Sequence, residues 1–174
     1  MNTLINFLFA AIKAGAPLIF GTTGEIITEK AGNLNLGVEG MMFMGAISGF
    51  YIGLMTDSVL LALAAAFLAG MFGAFIYTFL TVTLQANQNV TGMTLTILGT
   101  RFATFCGEMM IKSTPGGSPK LSSECSAKLC EKALPLLSRI PYLGKLLFSH
   151  NYLVYFAVIL AVLCWIYIKY TKPG

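Results

Sequence analysis

Three of the chain's seven acidic residues, Glu25, Glu29 and Glu39, fall within one stretch, 21–53, where Lys30, Asn33 and Asn35 join them. A second polar group, Gln85, Asn87, Gln88, Asn89 and Thr91, follows within 85–91. Amides both donate and accept hydrogen bonds, so they suit a neutral polyhydroxy or heterocyclic molecule. Glu39 stands between Gly37 and Gly40, and a glycine beside an acid lets backbone or another molecule come close. Both groups are flanked by runs apolar enough to cross lipid. A charge near the bilayer centre costs roughly 2.5–3.5 kcal/mol on insertion scales. These side chains therefore either sit in loops at headgroup level or line a polar path, and spacing alone leaves both readings open.

The elements that must position them are membrane helices. The chain has 174 residues, is 56% hydrophobic and 10% charged, and has a mean hydropathy of +0.78. Soluble domains carry about 25% charged residues, so too little polar surface remains here to cover a water-soluble globule. Met1 to Ala16 has an apolar run with no positive segment before it, and reads as a membrane-inserting helix rather than a signal peptide. The net charge of +4 is small. Its basic groups lie at segment ends and in one loop, with no stripe suited to nucleic acid.

About five membrane segments are predicted, at 4–27, 36–55, 59–84, 90–111 and 152–167, each near the 20 residues that a spanning helix needs. Pro17 can kink or start the first. Residues 28–35 form a polar break before the second. Asp57 or Ser58 is expected to cap the third. Gly45, Gly49 and Gly53 form a small-residue stripe on the second, and Ala62, Ala66, Gly70 and Ala74 form one on the third. Such stripes let helices approach closely, so these two are predicted to pack together. The fourth segment carries five threonines and Arg101, with Glu108 two turns further on. The stretch 112–149 is a polar loop, with a short amphipathic segment at about 126–137. The fifth segment ends in Lys169-Tyr170-Thr171-Lys172, a basic and aromatic end fitted to an interface. His150, just before it, reads as an interfacial polar residue. The fold class expected is all-α, a polytopic transmembrane bundle with one longer external loop. Residues 1–174 are expected to form one transmembrane domain.

Cys106 and Cys164 lie in apolar runs and read as packing residues. Cys125 and Cys130, in the loop, are either a disulfide or two free thiols. No metal cluster or cofactor motif is expected. The chain contains no GxxxxGK[ST], HExxH or GxSxG pattern and a single histidine, so no catalytic residue is assigned and nucleotide hydrolysis by this chain is not expected.

Residues 24–46, GEIITEKAGNLNLGVEGMMFMGA, closely resemble the signature of ABC transporter permeases. The branch is similar to the nucleoside and simple-sugar permeases that work with basic-membrane-protein-type binding lipoproteins. Residues 84–92, LQANQNVTG, resemble that branch's second recurring stretch, and Ile140-Pro141-Tyr142-Leu143-Gly144 with Leu147-Phe148 its external loop. The resemblance implies a multi-pass subunit of an importer in the bacterial inner membrane. Its partners would be two cytoplasmic ATPases, a second permease subunit, an external substrate-binding lipoprotein and membrane lipid. It implies that Asn33, Asn35, Glu39, Asn87, Gln88, Asn89 and Thr91 lie in or near the solute path. The chain resembles the N-terminal half of such permeases and stops before the loop that engages the ATPase.

The resemblance puts the 112–149 loop outside, whereas counting Lys112, Lys120, Lys128, Lys132, Arg139 and Lys145 puts it inside. The reading adopted follows the resemblance, because several of these charges lie on a segment able to dock on the bundle. Two other classes of function remain open. One is a secondary transporter or channel that uses Glu39. The other is a non-transporting membrane subunit.

Overall fold

A computed structural model describes residues 2–114, 116–130 and 148–171. Among these residues six helices follow in order: α1 (Asn2–Lys30), α2 (Val38–Thr56), α3 (Val59–Thr78), α4 (Gln88–Ser113), α5 (Ser123–Cys130) and α6 (Tyr152–Tyr170). A π-helical turn, Phe79–Thr83, prolongs α3. No β-strand occurs among the described residues. The architecture is an all-α polytopic bundle. Its residues form two compact parts, Met1–Ile27 with Leu129–Gly174, and Thr28–Lys128.

Among the described residues four helical spans are both long and apolar enough to cross a membrane: Thr3–Lys30, Val38–Thr56, Val59–Thr83 and Tyr152–Tyr170. The remaining expected segment, α4, has the length, with 26 residues or about 39 Å. It falls short on hydropathy because threonines, Arg101 and Glu108 dilute its apolar residues. Its hydroxyls are largely satisfied within the helix. Thr94 Oγ1 donates to Val90 O (2.8 Å), Thr100 Oγ1 to Thr96 O (2.9 Å) and Thr104 Oγ1 to Thr100 O (2.9 Å).

In the first part, α1 runs unbroken through Pro17, and rings set its contacts with the C-terminal segment. Phe20 and Phe156 lie 5.9 Å apart. His150, expected as an interfacial polar residue, is buried and stacked on Phe9 at 4.5 Å. The end of α6 matches an interfacial anchor. Lys169 Nζ lies 4.7 Å from the centre of the Trp165 ring and 5.4 Å from that of Tyr170, within cation–π range.

In the second part, α1 continues past the expected stop at residue 27 and ends at Lys30. Gly32 takes a left-handed conformation (φ 86°). Gly32 N–H donates to Glu29 O and Asn33 N–H to Thr28 O, the paired bonds of a glycine-terminated helix. Asp57, also left-handed, closes α2, and its N–H donates to Gly53 O. It therefore does not cap α3. Ser58 holds that position in extended backbone, but its side chain makes no capping bond.

The α2–α3 seam is built from small residues. A Cβ added at Gly45 would lie 3.0 Å from Ala66 O. One at Gly49 would lie 3.0 Å from both Ala62 O and Ala66 Cβ, and one at Gly53 would lie 3.3 Å from Ala62 Cβ. Gly70 takes no part, since a Cβ there meets nothing within 4 Å. Gly49→Leu should therefore cost about 1–3 kcal/mol, read as a lower thermal midpoint in detergent. Gly70→Leu should leave that midpoint unchanged.

The buried apolar cluster is small: Met41, Tyr77 and Leu95, with Ile76 against it. Leu60, Phe67 and Phe75 face outward, as suits a bundle whose solvent is lipid. Cys125 is a fully buried free thiol, so the alternative of a Cys125–Cys130 disulfide is not realised. Of the amphipathic segment expected at 126–137, the described portion is α5, which begins three residues earlier. Residues 131–137 and the resemblance's external-loop residues 140–147 lie outside the described residues.

Candidate functional site

The polar break becomes a non-helical strap, Ala31 to Gly37, lying along α4. Gln88, in the first turn of α4, grips its beginning. Leu34 N–H donates to Gln88 Oε1 (2.8 Å), while Gln88 Nε2 donates to Gly32 O (3.3 Å) and to Asn33 Oδ1 (3.1 Å). Tyr77, near the end of α3, donates its hydroxyl to Leu34 O (2.7 Å). Thr96, two turns further along α4, donates to Leu36 O (2.8 Å). Asn35 is buried, and its Oδ1 accepts from Gly37 N–H (2.9 Å). Several of the strap's backbone groups are thus bonded by side chains from α3 and α4 in place of a helix's own ladder.

Glycines allow this approach. A Cβ added at Gly92 would lie 2.8 Å from Leu36 N. Beyond the strap, α2 crosses α4 where Gly40 meets Leu95, Thr96 and Gly99. A Cβ on Gly40 would lie 2.6 Å from Thr96 Cα, and one on Gly99 would lie 2.6 Å from Gly40 Cα. Both would also overlap facing backbone oxygens. From Gln88 to Gly99 is 11 residues, about 16 Å of helix. The strap thus occupies the first three turns of α4, and α2 starts part-way along it.

The sequence candidates fall around this strap. Asn33 is half-buried and Asn35 buried in it, and Glu39 stands exposed in the first turn of α2. Asn87 caps α4 through its Oδ1, which accepts from Val90 N–H (3.1 Å). Gln88 and Thr91 are half-buried and Asn89 exposed, all in the first turn of α4 rather than in a preceding loop. Gln88 is brought against Asn33, whereas Asn87 is spent on its own helix end. Arg101, midway along α4, is exposed, as is Glu108. Among the described residues Arg101 has no ion-pair partner.

Tyr77, Gly92 and Gly99 are absent from the sequence candidates. Thr96 stands there only as one threonine among several. The signal for the two glycines is their seven-residue spacing on one face of a helix, diluted by its polar residues.

Outward-facing apolar side chains flank the strap. Phe75, Phe79 and Val82 lie on α3 and its π-turn, at and past the level of Tyr77. Val90, Met93 and Ile97 lie on the matching turns of α4. At the other end of these helices, a cavity of about 560 Å³ opens between α2 and α4. Ile47, Tyr51, Met55, Phe102 and Met109 line it, and none of the polar candidates does.

Long apolar helices and a polar strap held among them define a multi-pass helical membrane protein. The family model described as the permease component of branched-chain amino acid transport systems matches residues 7–174, and the chain belongs to this family. It is 31% identical over its whole length to TsgC13 of Haloferax volcanii, provisionally named a glucose ABC transporter permease protein, and covers 51% of that protein. It is 28% identical, again over its whole length, to the nucleoside ABC transporter permease protein NupC of Lactococcus lactis, covering 55% of it. To the guanosine ABC transporter permease protein NupQ of Bacillus subtilis it is 28% identical, over 95% of this chain and 52% of that one. The chain thus spans about half the length of these curated relatives. No solved structure matches it.

Proposed function

We propose that this chain forms part of the solute path of an ATP-binding-cassette importer in a bacterial inner membrane, with a nucleoside as first choice of solute and a simple sugar as second. The observation that carries this reading is the polar strap between apolar outward faces. Val90, Met93 and Ile97 lie alongside the strap on α4 and face outward, which favours hydrocarbon depth over the headgroup zone. Non-helical backbone at that depth is tolerated where protein buries it or where it lines water. The strap has both environments. Asn35 is buried, while Glu39 and Asn89 face outward, toward a path that a second permease subunit would complete. Arg101 on the exposed side of α4 fits the same arrangement, since a charge at mid-helix needs an aqueous or protein neighbour.

ATP hydrolysis then belongs to separate ATPase subunits, and an external binding lipoprotein delivers the solute. The names of TsgC13, NupC and NupQ support an importer permease and include both a sugar and nucleosides as solutes. The test is uptake of labelled guanosine and glucose by cells carrying the complete transporter, with and without its ATPase. Uptake should vanish without the ATPase. Persistence, or collapse with the proton gradient while ATP is intact, would reject the importer and favour a secondary transporter.

Within this reading Glu39→Gln should lower uptake by roughly tenfold, the scale of one charge-assisted hydrogen bond, at unchanged membrane level. An equal fall in membrane level and uptake would make Glu39 structural.

A further inference from the structure

We infer that Asn33 presents a hydrogen-bond donor to the solute, fixed in that sense by Gln88, and that it selects for an acceptor such as the carbonyl of a nucleoside base. This rests on the strap bordering the solute path.

Two backbone groups of the strap cannot be turned round. A side-chain amide can be flipped, exchanging its donor and acceptor ends, and only its neighbours decide which way it points. Gln88 faces a backbone N–H, of Leu34, and a backbone C=O, of Gly32. The first can only donate and the second can only accept. Oε1 must therefore lie toward Leu34, and Nε2 toward Gly32. One proton of Nε2 is then committed to Gly32 O, and the other points at Asn33, 3.1 Å away. Asn33 must accept it with Oδ1. Its own orientation is set in turn, and Nδ2 is the end left over. Among the described residues nothing accepts from Asn33 Nδ2, and the side chain is only half-buried.

The consequence divides two residues that look alike in the sequence. Gln88 spends its oxygen and both amide protons on the strap, so it is a positioning residue. Asn33 keeps two donor protons, and a solute atom that meets them must be an acceptor. A carbonyl oxygen satisfies that demand, whereas an amino group at the same place confronts donor with donor. A site built to hydrogen-bond one group discriminates strongly against an analogue that leaves its polar atoms unpaired.

Two substitutions reverse the character of this one position by different routes. Asn33→Asp still accepts from Gln88 Nε2, but its second oxygen is acceptor only. Gln88→Glu still accepts from Leu34 N–H but has no proton for Asn33 Oδ1. Asn33 then turns to donate to the new carboxylate and presents its oxygen outward. The readout is the ratio of inosine to adenosine uptake by the complete transporter with its own binding protein. These nucleosides carry a carbonyl and an amino group at the same ring carbon, and the neighbouring ring nitrogen is protonated in inosine and bare in adenosine, so the edge reverses its hydrogen-bonding character. Both variants should shift that ratio toward adenosine by about tenfold, the value of one hydrogen bond, with uptake still dependent on the ATPase. A merely structural role for either residue would lower both uptakes together and leave the ratio alone. An unchanged ratio with ATPase dependence intact overturns the assignment of Asn33 and leaves the importer reading standing. Uptake by the unaltered transporter that ignores the ATPase removes both. Should Gln88→Glu fail to reach the membrane, the ratio for Asn33→Asp decides alone.

Discussion

Gly40→Ala is expected to prevent α2 and α4 from docking, and Gly99→Ala to do the same. The added methyl would meet backbone, not the end of a flexible side chain. At Gly40 it would lie 2.6 Å from Thr96 Cα, and at Gly99 2.6 Å from Gly40 Cα. No rotamer change relieves such an overlap, so the helices must separate. Ordinary overpacking costs about 1–3 kcal/mol, and a clash between two backbones belongs at or above the top of that range. The loss would spread, because the same crossing seats Leu95 against Met41 and Tyr77 in the buried cluster. The measurement is the monodisperse yield and thermal midpoint of the detergent-purified protein, with Gly24→Ala as reference, since a Cβ there meets nothing within 4 Å. A midpoint for Gly40→Ala equal to that of the reference would show that this crossing does not hold the bundle.

The second large effect is expected at Gln88. Gln88→Leu removes three hydrogen bonds at once and leaves Leu34 N–H and Gly32 O without their partner. Each lost bond costs about 0.5–1.5 kcal/mol, and the loss of three together should detach the strap from α4. Tyr77→Phe and Thr96→Val each remove one bond, to Leu34 O and Leu36 O respectively, and each should cost about 1 kcal/mol. Amide hydrogen exchange across 31–37 reads this series directly. Protection should fall furthest in Gln88→Leu and by less in the other two. Equal protection in all three variants and in the parent would mean that the strap is held by packing alone.

The membrane helices are largely legible in the sequence, because runs of about 20 apolar residues have few alternatives in lipid. The α2–α3 seam is legible too, through the four-residue spacing of Gly45, Gly49 and Gly53 and the facing Ala62 and Ala66. The other glycine seam is not. Gly40 stands out only for its neighbour Glu39, and Gly92 and Gly99 lie in a helix whose threonines and charges mask any stripe. Tyr77 is hidden for a different reason. A single hydroxyl at the end of a very apolar helix carries no periodic signal, and its partner lies 43 positions away. The polar residues of 85–91 are visible, but not which of them the fold consumes. Asn87 and Gln88 differ little as residue types. One caps its own helix and the other clamps a segment more than 50 residues away, and only three-dimensional register distinguishes them.

The late start of α2 has an electrostatic consequence. The first turn of a helix carries about half a positive charge on its unpaired amide groups. Because α2 begins part-way along α4, that charge is set down beside the strap and not at the outer end of the bundle. Glu39, in the same turn, brings a full negative charge to it. The first turn of α4, where Gln88 holds the strap, adds a second half charge, so Glu39 offsets the two helix starts together.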